Sequence, residues 1–352
     1  FNETATTEIY TLEFVGSRQM CIRDRQLFWF IIVGVLFSGF FFLEGFDYGV
    51  GMSAITIAKD KREVEQAIGS IGPVWDLNEV WLLTAGGAMF ASFPYWYASL
   101  FSGFYLILFL ILVGLIFRGV TFEFRHHSHT EKGKMLWTKV LGVASFAIPF
   151  LFGLMFTSMI QGVPMDAKGN VTATFTTYVN FLSVVGGVAV MLLAWLHGLN
   201  YLALKTEGAL RERAAKIANI LYFVLYAGEV VFAVLLAIFT DFFEKHFIGT
   251  LVLLALIVIL TLVAHLSVRA GKEMSAFLAS GLTFIALVAL IFQGIFPRVM
   301  IATNPAHSIL IKNASSTGYT LKTMTIITLV ILPFVLIYMG WTYFIFRKRI
   351  KK

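Results

Sequence analysis

Apolar residues fall along this chain in unbroken runs of about 20, and the polar residues between them are confined to short connectors. The runs do not alternate as barrel strands do, and an open sheet has unpaired backbone groups that lipid cannot satisfy, so the pattern predicts helices. At about 1.5 Å per residue, each run is long enough to cross a hydrocarbon core of roughly 30 Å. Nine spans are predicted: Leu27–Phe46, Leu77–Tyr97, Leu100–Val120, Trp137–Ile160, Phe175–Leu196, Ile217–Phe239, Ile248–Val268, Phe277–Phe296 and Met324–Phe346. No repeat of 20 to 50 residues is visible and no soluble domain interrupts the spans, so residues 26–352 read as one polytopic membrane domain.

Composition turns a chain of long helices into an integral membrane protein. Of its 352 residues, 59% are hydrophobic, 16% aromatic and only 13% charged, against roughly 25% charged in a soluble globular domain. The net charge of +7 does not point to nucleic acid, because the basic residues sit in short loops between spans rather than in a separate cluster. They set orientation instead. One set of alternate loops, together with the C-terminal tail, carries 19 of the 27 Lys and Arg. The opposite set carries five: Lys168, Lys245, Arg298, Lys312 and Lys322. The richer side is expected in the cytoplasm, which with nine spans places the N-terminus outside and the C-terminus inside.

Residues 1–25 stand apart. They are polar, start at Phe, lack a signal-peptide core and include the stretch Gly16 to Arg25, so they read as a sequence artefact or a disordered extension. They contain the single cysteine, Cys21, which excludes an internal disulfide and a cysteine-built metal centre.

Carboxylates at the membrane boundary are the informative polar residues, since burying one costs several kcal/mol. Glu44 and Asp47, in FFFLEGFDYGVGM, are three apart and share a helix face, with Gly45, Gly49 and Gly51 permitting close backbone approach. They are either a proton-accepting pair at a channel mouth or an ordinary polar helix end. Asp76, Asn78 and Glu79, in PVWDLNEVWL between Trp75 and Trp81, fit either a polar site or a well-capped, tryptophan-belted span. Arg118 is expected at the same depth as Asp47 and Asp76, so these three admit a buried ion-pair network, although an arginine there also snorkels. Glu229 falls near the middle of a span, where a carboxylate is either functional or a sealed helix contact. His197 and His265 lie at span ends and the other five histidines in loops, so no facing pair suits a haem or metal.

FLEGFDYGVG (Phe42 to Gly51), WDLNEVWL (Trp75 to Leu82), FRGVTFEFR (Phe117 to Arg125) and HGLNYLALKTEG (His197 to Gly208) occur in order, and together they resemble subunit II of the cytochrome bd-type quinol oxidases. The resemblance covers Gln26 to the end. It implies an all-α fold of about nine transmembrane helices, as two four-helix bundles plus one peripheral helix, in a bacterial cytoplasmic membrane. It implies a haem-bearing partner, subunit I, that holds haems b and d and oxidises quinol, while this chain binds no haem and supplies a cytoplasmic proton pathway for oxygen reduction. Asp47 matches the acid at that pathway's entrance, and Trp75, Asp76 and Arg118 match a polar group beside the subunit interface. Glu44 and Glu79 join them as pathway candidates, and Glu229 matches no motif. A small single-helix accessory subunit, bound lipid and a structural quinone are compatible with the resemblance; ubiquinol and menaquinol are not distinguished. The competing readings are an independent secondary transporter, for which Pro149 and Pro333 would interrupt spans without forming a matched inverted pair, and a purely structural scaffold subunit.

Overall fold

The computed structural model describes the backbone of residues 3–350 and the side chains of residues 22–350 apart from Thr176. The expectation for residues 1–25 therefore falls, up to Cys21, on side chains outside those described. The helices are α1 (Glu3–Thr56), α2 (Lys61–Ile71), α3 (Trp75–Ser92), α4 (Pro94–Gly103), α5 (Tyr105–His127), α6 (Glu131–Gln161), α7 (Phe175–Tyr178), α8 (Phe181–Lys205), α9 (Ala209–Phe239), α10 (Phe242–Arg269), α11 (Glu273–Ile295), α12 (Ile311–Ala314) and α13 (Gly318–Ile345). Among the described residues, eight helices are long and apolar enough to cross a membrane: α1, α5, α6, α8, α9, α10, α11 and α13. The predicted second span, realised as α3, falls short of that test because Asp76, Asn78 and Glu79 dilute its first turns.

The helices form two groups of four. α1 packs on α3 and α6, and α6 on α5; in the second group α8 packs on α9, α9 on α10, and α11 on both α10 and α8. α1 also lies against α8 and α11, and α6 against α8, so these two helices join the groups; the second half of α1 is enclosed, with Phe40, Phe46, Tyr48, Val50 and Met52 fully buried. α13 touches only α1 and α3 appreciably and is exposed along most of its length, as a peripheral helix facing lipid would be.

Several boundaries differ from the sequence expectation, each for a local reason. α1 does not stop at Phe46 but continues to Thr56, because Gly49 and Gly51 let it pass between α8 and α6. A Cβ on Gly49 would lie 2.2 Å from the Ala194 carbonyl oxygen, so the two backbones are in contact there. The predicted second and third spans become three helices. Pro94 disfavours helical geometry at the residue before it, and Phe93, at φ −135° and ψ 65°, ends α3. The fifth span starts at Phe181, where Asn180 and Ser183 exchange side-chain and backbone hydrogen bonds in a capping box. Pro149 and Pro333, expected to interrupt spans, lie inside the continuous helices α6 and α13.

The basic loops share one end of the molecule, where ion pairs stitch neighbouring elements together. Arg213 pairs with Glu63, Arg125 with Glu65, Lys61 with Glu131, and Glu273 with both Arg211 and Arg349. The guanidinium of Arg213 holds the Glu63 carboxyl below the usual range, and Arg125 does the same for Glu65.

At the other end, β1 (Arg298–Met300) and β2 (Ile309–Leu310) form an antiparallel pair, with Ala302 bridged to Val163. Arg298 there makes two hydrogen bonds to Asp241, at 2.6 and 2.9 Å. Burial raises the Asp241 carboxyl, but Arg298 and Lys245 outweigh that and bring it down to about 2. A carboxylate depressed in the folded state contributes stability above its unfolded value near 4, and that contribution fades as pH falls toward 2. Asp241→Asn is expected to destabilise the protein by on the order of 2–3 kcal/mol at neutral pH, since Arg298 stays largely buried with its charge unpaired. Thermal melts of the detergent-solubilised protein check this: equal melting temperatures at pH 7, or a deficit that persists at pH 2, would count against it.

Candidate functional site

Where α1, α3, α5 and α13 meet, four charged side chains converge inside the bundle. Glu44 and Asp47 lie one turn apart on α1, three residues being enough to place both on the face turned to α3 and α5. Arg118, the tenth residue from the end of α5, reaches between them. Glu44, Asp47 and Arg118 are all 0% exposed, so this is a charge cluster removed from solvent rather than a polar helix end. Arg118 hydrogen bonds directly to Glu44, its second nitrogen lies 3.7 Å from Asp47 Oδ2, and Glu79 of α3 approaches to 3.5 Å. Its guanidinium also stands 4.9 Å from the centre of the Tyr48 ring. Asn78 completes the group: its amide donates to Asp47 Oδ2 at 2.8 Å, and its carbonyl oxygen accepts from the Tyr343 hydroxyl of α13 at 2.5 Å.

Three potentially negative groups around one cation leave hydrogen-bonding capacity unspent. Among the described residues, no donor reaches Glu44 Oε2 or Asp47 Oδ1 and no acceptor satisfies Arg118 Nε or Nη2, while the Glu44 and Asp47 carboxyls stand within reach of each other. Glu79 is the member nearest the surface, its side chain 26% exposed. The group therefore runs from a partly wet carboxylate to two enclosed ones.

Asp76 is not part of it. The network expected among Asp47, Asp76 and Arg118 forms with Glu44, Asn78 and Glu79 in place of Asp76, which is exposed on the chain. Three residues place Asp76 and Glu79 on nearly the same face of α3, but Asp76 lies one turn nearer the helix start, where it is exposed and acts on Glu79 rather than on Arg118, while Asn78, about 200° round from Asp76, points to α1. Trp75 lies beside the cluster, stacked on Phe122 at 4.8 Å and resting against Gly119, next to Arg118.

The family described as cytochrome bd terminal oxidase subunit II matches residues 25–346 of this chain. The chain belongs to this family. A Bacillus subtilis (strain 168) protein named cytochrome bd ubiquinol oxidase subunit 2 is 43% identical over 323 residues, covering 92% of this chain and 96% of that one. Cytochrome bd-I ubiquinol oxidase subunit 2 of Escherichia coli (strain K12) is 32% identical, covering 93% and 95%. The bd oxidase structure from Geobacillus thermodenitrificans shares the fold, with a TM-score of 0.70 at 17% identity over 92% of this chain and all of the matched one. A bd oxidase subunit II is a multi-pass membrane oxidoreductase subunit, one half of a complex that contains haems and a subunit I. This decides between an oxidase subunit and an independent transporter.

The remaining polar residues of this subunit II fall into a second, separate line through α8–α11. His197 is buried, with one ring nitrogen against Ser280 at 2.8 Å and the other against the Phe42 carbonyl at 2.9 Å. Asn200 donates to Ser280 and to Tyr222. His265 is likewise engaged at both nitrogens, by Tyr226 and Asn219. Imidazoles with both nitrogens committed do not fit axial ligation of a haem, and no group of three or more His, Cys, Asp or Glu among the described residues is placed to hold a metal. Glu229 stands apart from the cluster as well, on α9, where Thr261 approaches it at 3.4 Å. It lines an apolar cavity of about 430 Å³ between the second group and α1 and α6, together with Phe41, Phe156, Tyr226 and Phe284.

Sequence reasoning named Asn78 in the second polar cluster without assigning it to the pathway, and missed Tyr343. Asn78 carried a signal, being in the same motif as Trp75 and Glu79. Tyr343 carried none, since it is 265 residues away and sits in a span otherwise read as uniformly apolar.

Proposed function

We propose that this subunit conducts protons from the cytoplasm toward the oxygen-reducing site of a haem-bearing subunit I, in the cytoplasmic membrane of a bacterium. Quinol is oxidised by the partner near the outer face, electrons pass through its haems b and d to oxygen, and protons for water formation are drawn from inside through this chain. Charge separation of this kind generates a proton-motive force without pumping. Haems supply the electron transfer and oxygen chemistry when bound in the partner, and no step runs through a haem on this chain.

The observation that carries the reading is the enclosure of Glu44, Asp47 and Arg118 together, with two carboxyls beside each other and oxygens that no donor among the described residues satisfies. A structural ion pair is normally saturated by hydrogen bonds, whereas unsatisfied buried carboxylate oxygens suit water and proton exchange. Glu79, partly exposed, receives protons from the wet side, and Asp47 and Glu44 take them inward. Arg118 supplies the positive charge that lets more than one carboxylate share so small a space. Trp75 and Asp76, at the start of α3, face the partner. The shared cytoplasmic end is the one where basic loops gather, as the distribution of Lys and Arg requires. Lipid covers the exposed apolar faces, α13 above all. An accessory helix, and a quinone or lipid held structurally, fit the same surfaces.

Asp47→Asn in the assembled complex is expected to slow oxygen consumption at least tenfold while the haem bands of the partner keep their intensity. Turnover equal to that of the unsubstituted complex at every pH would reject the proton role and favour a purely structural scaffold.

A further inference from the structure

Tyr343 is the polar side chain that the peripheral helix sends into the charge cluster. α13 is otherwise a lipid-facing helix, tied down at its two ends. At the first, Trp29 donates to the Leu321 carbonyl and to Thr325, and Ser316 donates to the Ala91 carbonyl. At the second, Lys205 donates to the carbonyls of Phe346 and Lys348. Tyr343 does something different from these anchors: it ends in a side chain that itself contacts Asp47.

The direction of each hydrogen bond matters. The phenol of Tyr343 donates to Asn78 Oδ1, and Asn78 Nδ2 donates to Asp47 Oδ2 and, at 3.4 Å, to the Leu43 carbonyl. An amide is nearly symmetric in shape but not in chemistry, so its orientation is set by its neighbours. A donor at its oxygen fixes its nitrogen toward Asp47. With that donor gone, the amide is free to turn its oxygen to the carboxylate, which would replace an attraction by a repulsion. We propose that Tyr343 is a positioning residue for the proton acceptor Asp47, acting through Asn78, so that α13 controls the Asp47 donor set without touching the carboxylate.

The groups that share this environment are Glu44 and Tyr48 on α1, Glu79 on α3, Arg118 on α5 and Tyr201 on α8, while Asp76 is exposed. α6 and α11 bring Ser145, Leu141 and Phe284 to this part of α1, none of them titratable in the working range. On α2, Glu63 and Glu65 are already paired with Arg213 and Arg125. Among these, Tyr343 alone acts on the amide.

The inference rests on the proton role of Asp47, and the experiment separates the two. Oxygen consumption is measured against pH for the assembled complex carrying Tyr343→Phe, which keeps the ring and loses the donor. Turnover is expected to fall about three- to tenfold, the effect of one lost hydrogen bond to a strained network. The alkaline limb of the profile is expected to move up by about half a pH unit or more, because the carboxylate has lost a donor. Lys205→Met, which loosens the same helix away from the cluster, should lower thermal stability and leave the profile in place. Asn78→Leu removes the same donor and should shift the same limb, which keeps the question open to test if the Tyr343 variant does not assemble. Tyr343→Phe placed on Asp47→Asn should slow turnover no further. A Tyr343→Phe profile that superimposes on the unsubstituted complex, or one that matches Lys205→Met, overturns the inference. If Asp47→Asn is slow while Tyr343→Phe is not, the proton role stands and the positioning role falls; if Asp47→Asn is itself unchanged, both fall.

Discussion

Arg118→Met is expected to reduce the yield of assembled oxidase at least tenfold, and to leave whatever assembles with little oxygen-reducing activity. The guanidinium is fully enclosed and, among the described residues, is the one cation paired with Glu44, Asp47 and Glu79. Removing one partner of a buried ion pair typically costs about 3–5 kcal/mol, because the remaining charge stays in a medium that cannot solvate it. Here two enclosed carboxylates would be stranded, and each must take up a proton or drag water inward. Either response destroys the arrangement that lets a carboxylate alternate between its two states. Arg118→Lys should recover only part of the loss. An ammonium is a compact charge without the planar fork that reaches Glu44 and Asp47 with different nitrogens. Normal yield and turnover in Arg118→Met, measured by haem absorbance and oxygen uptake, would mean that the cluster is inert.

The second large effect is expected from the glycines of a helix crossing. A Cβ on Gly198 would sit 2.3 Å from the Gly49 carbonyl carbon and Cα and 2.5 Å from the Val50 nitrogen. These are backbone atoms, which cannot swing aside as a side chain can, so α1 and α8 must separate. Overpacking of this kind costs about 1–3 kcal/mol and shifts the backbone. Gly198→Ala should therefore lower the melting temperature of the solubilised complex by about 1–4 °C. It should also slow turnover, because α1 carries Asp47 within one turn of the crossing and Glu44 within two. Gly228→Ala provides the contrast: nothing lies within 4 Å of its added carbon, and alanine is the better helix former, so stability should hold or rise slightly. If both alanines behave alike, the close crossing does not set the geometry.

Much of the site could be read from the chain. A carboxylate is costly in lipid whatever the fold, so Glu44, Asp47 and Glu79 stood out from their apolar surroundings. Arg118 did so for the same reason, and three residues of spacing placed Glu44 and Asp47 on one face. Asp76 shows where that reasoning ends. It looks no different in sequence from Glu79 and shares its face, and α3 alone cannot say how far along it the enclosed part of the bundle begins. The position of α3 is set by packing, chiefly by Asn78 finding Asp47 and by Trp75 stacking on Phe122.

What the sequence determined by itself is the solvent and the element type: runs of about 20 apolar residues fit only lipid, and lipid admits only segments that close their own hydrogen bonds. The asymmetry of Lys and Arg and the glycines of the first span were equally local properties, visible before any contact was known. Only the tertiary structure decided that α1 and α6 join two four-helix groups, that Arg118 serves three carboxylates, and that a tyrosine from the last helix finishes the site. The physical reason is range. Hydrophobic length and charge cost act on each segment independently, whereas the partner of a buried polar atom is chosen by how whole helices turn and approach, over separations of up to 265 residues.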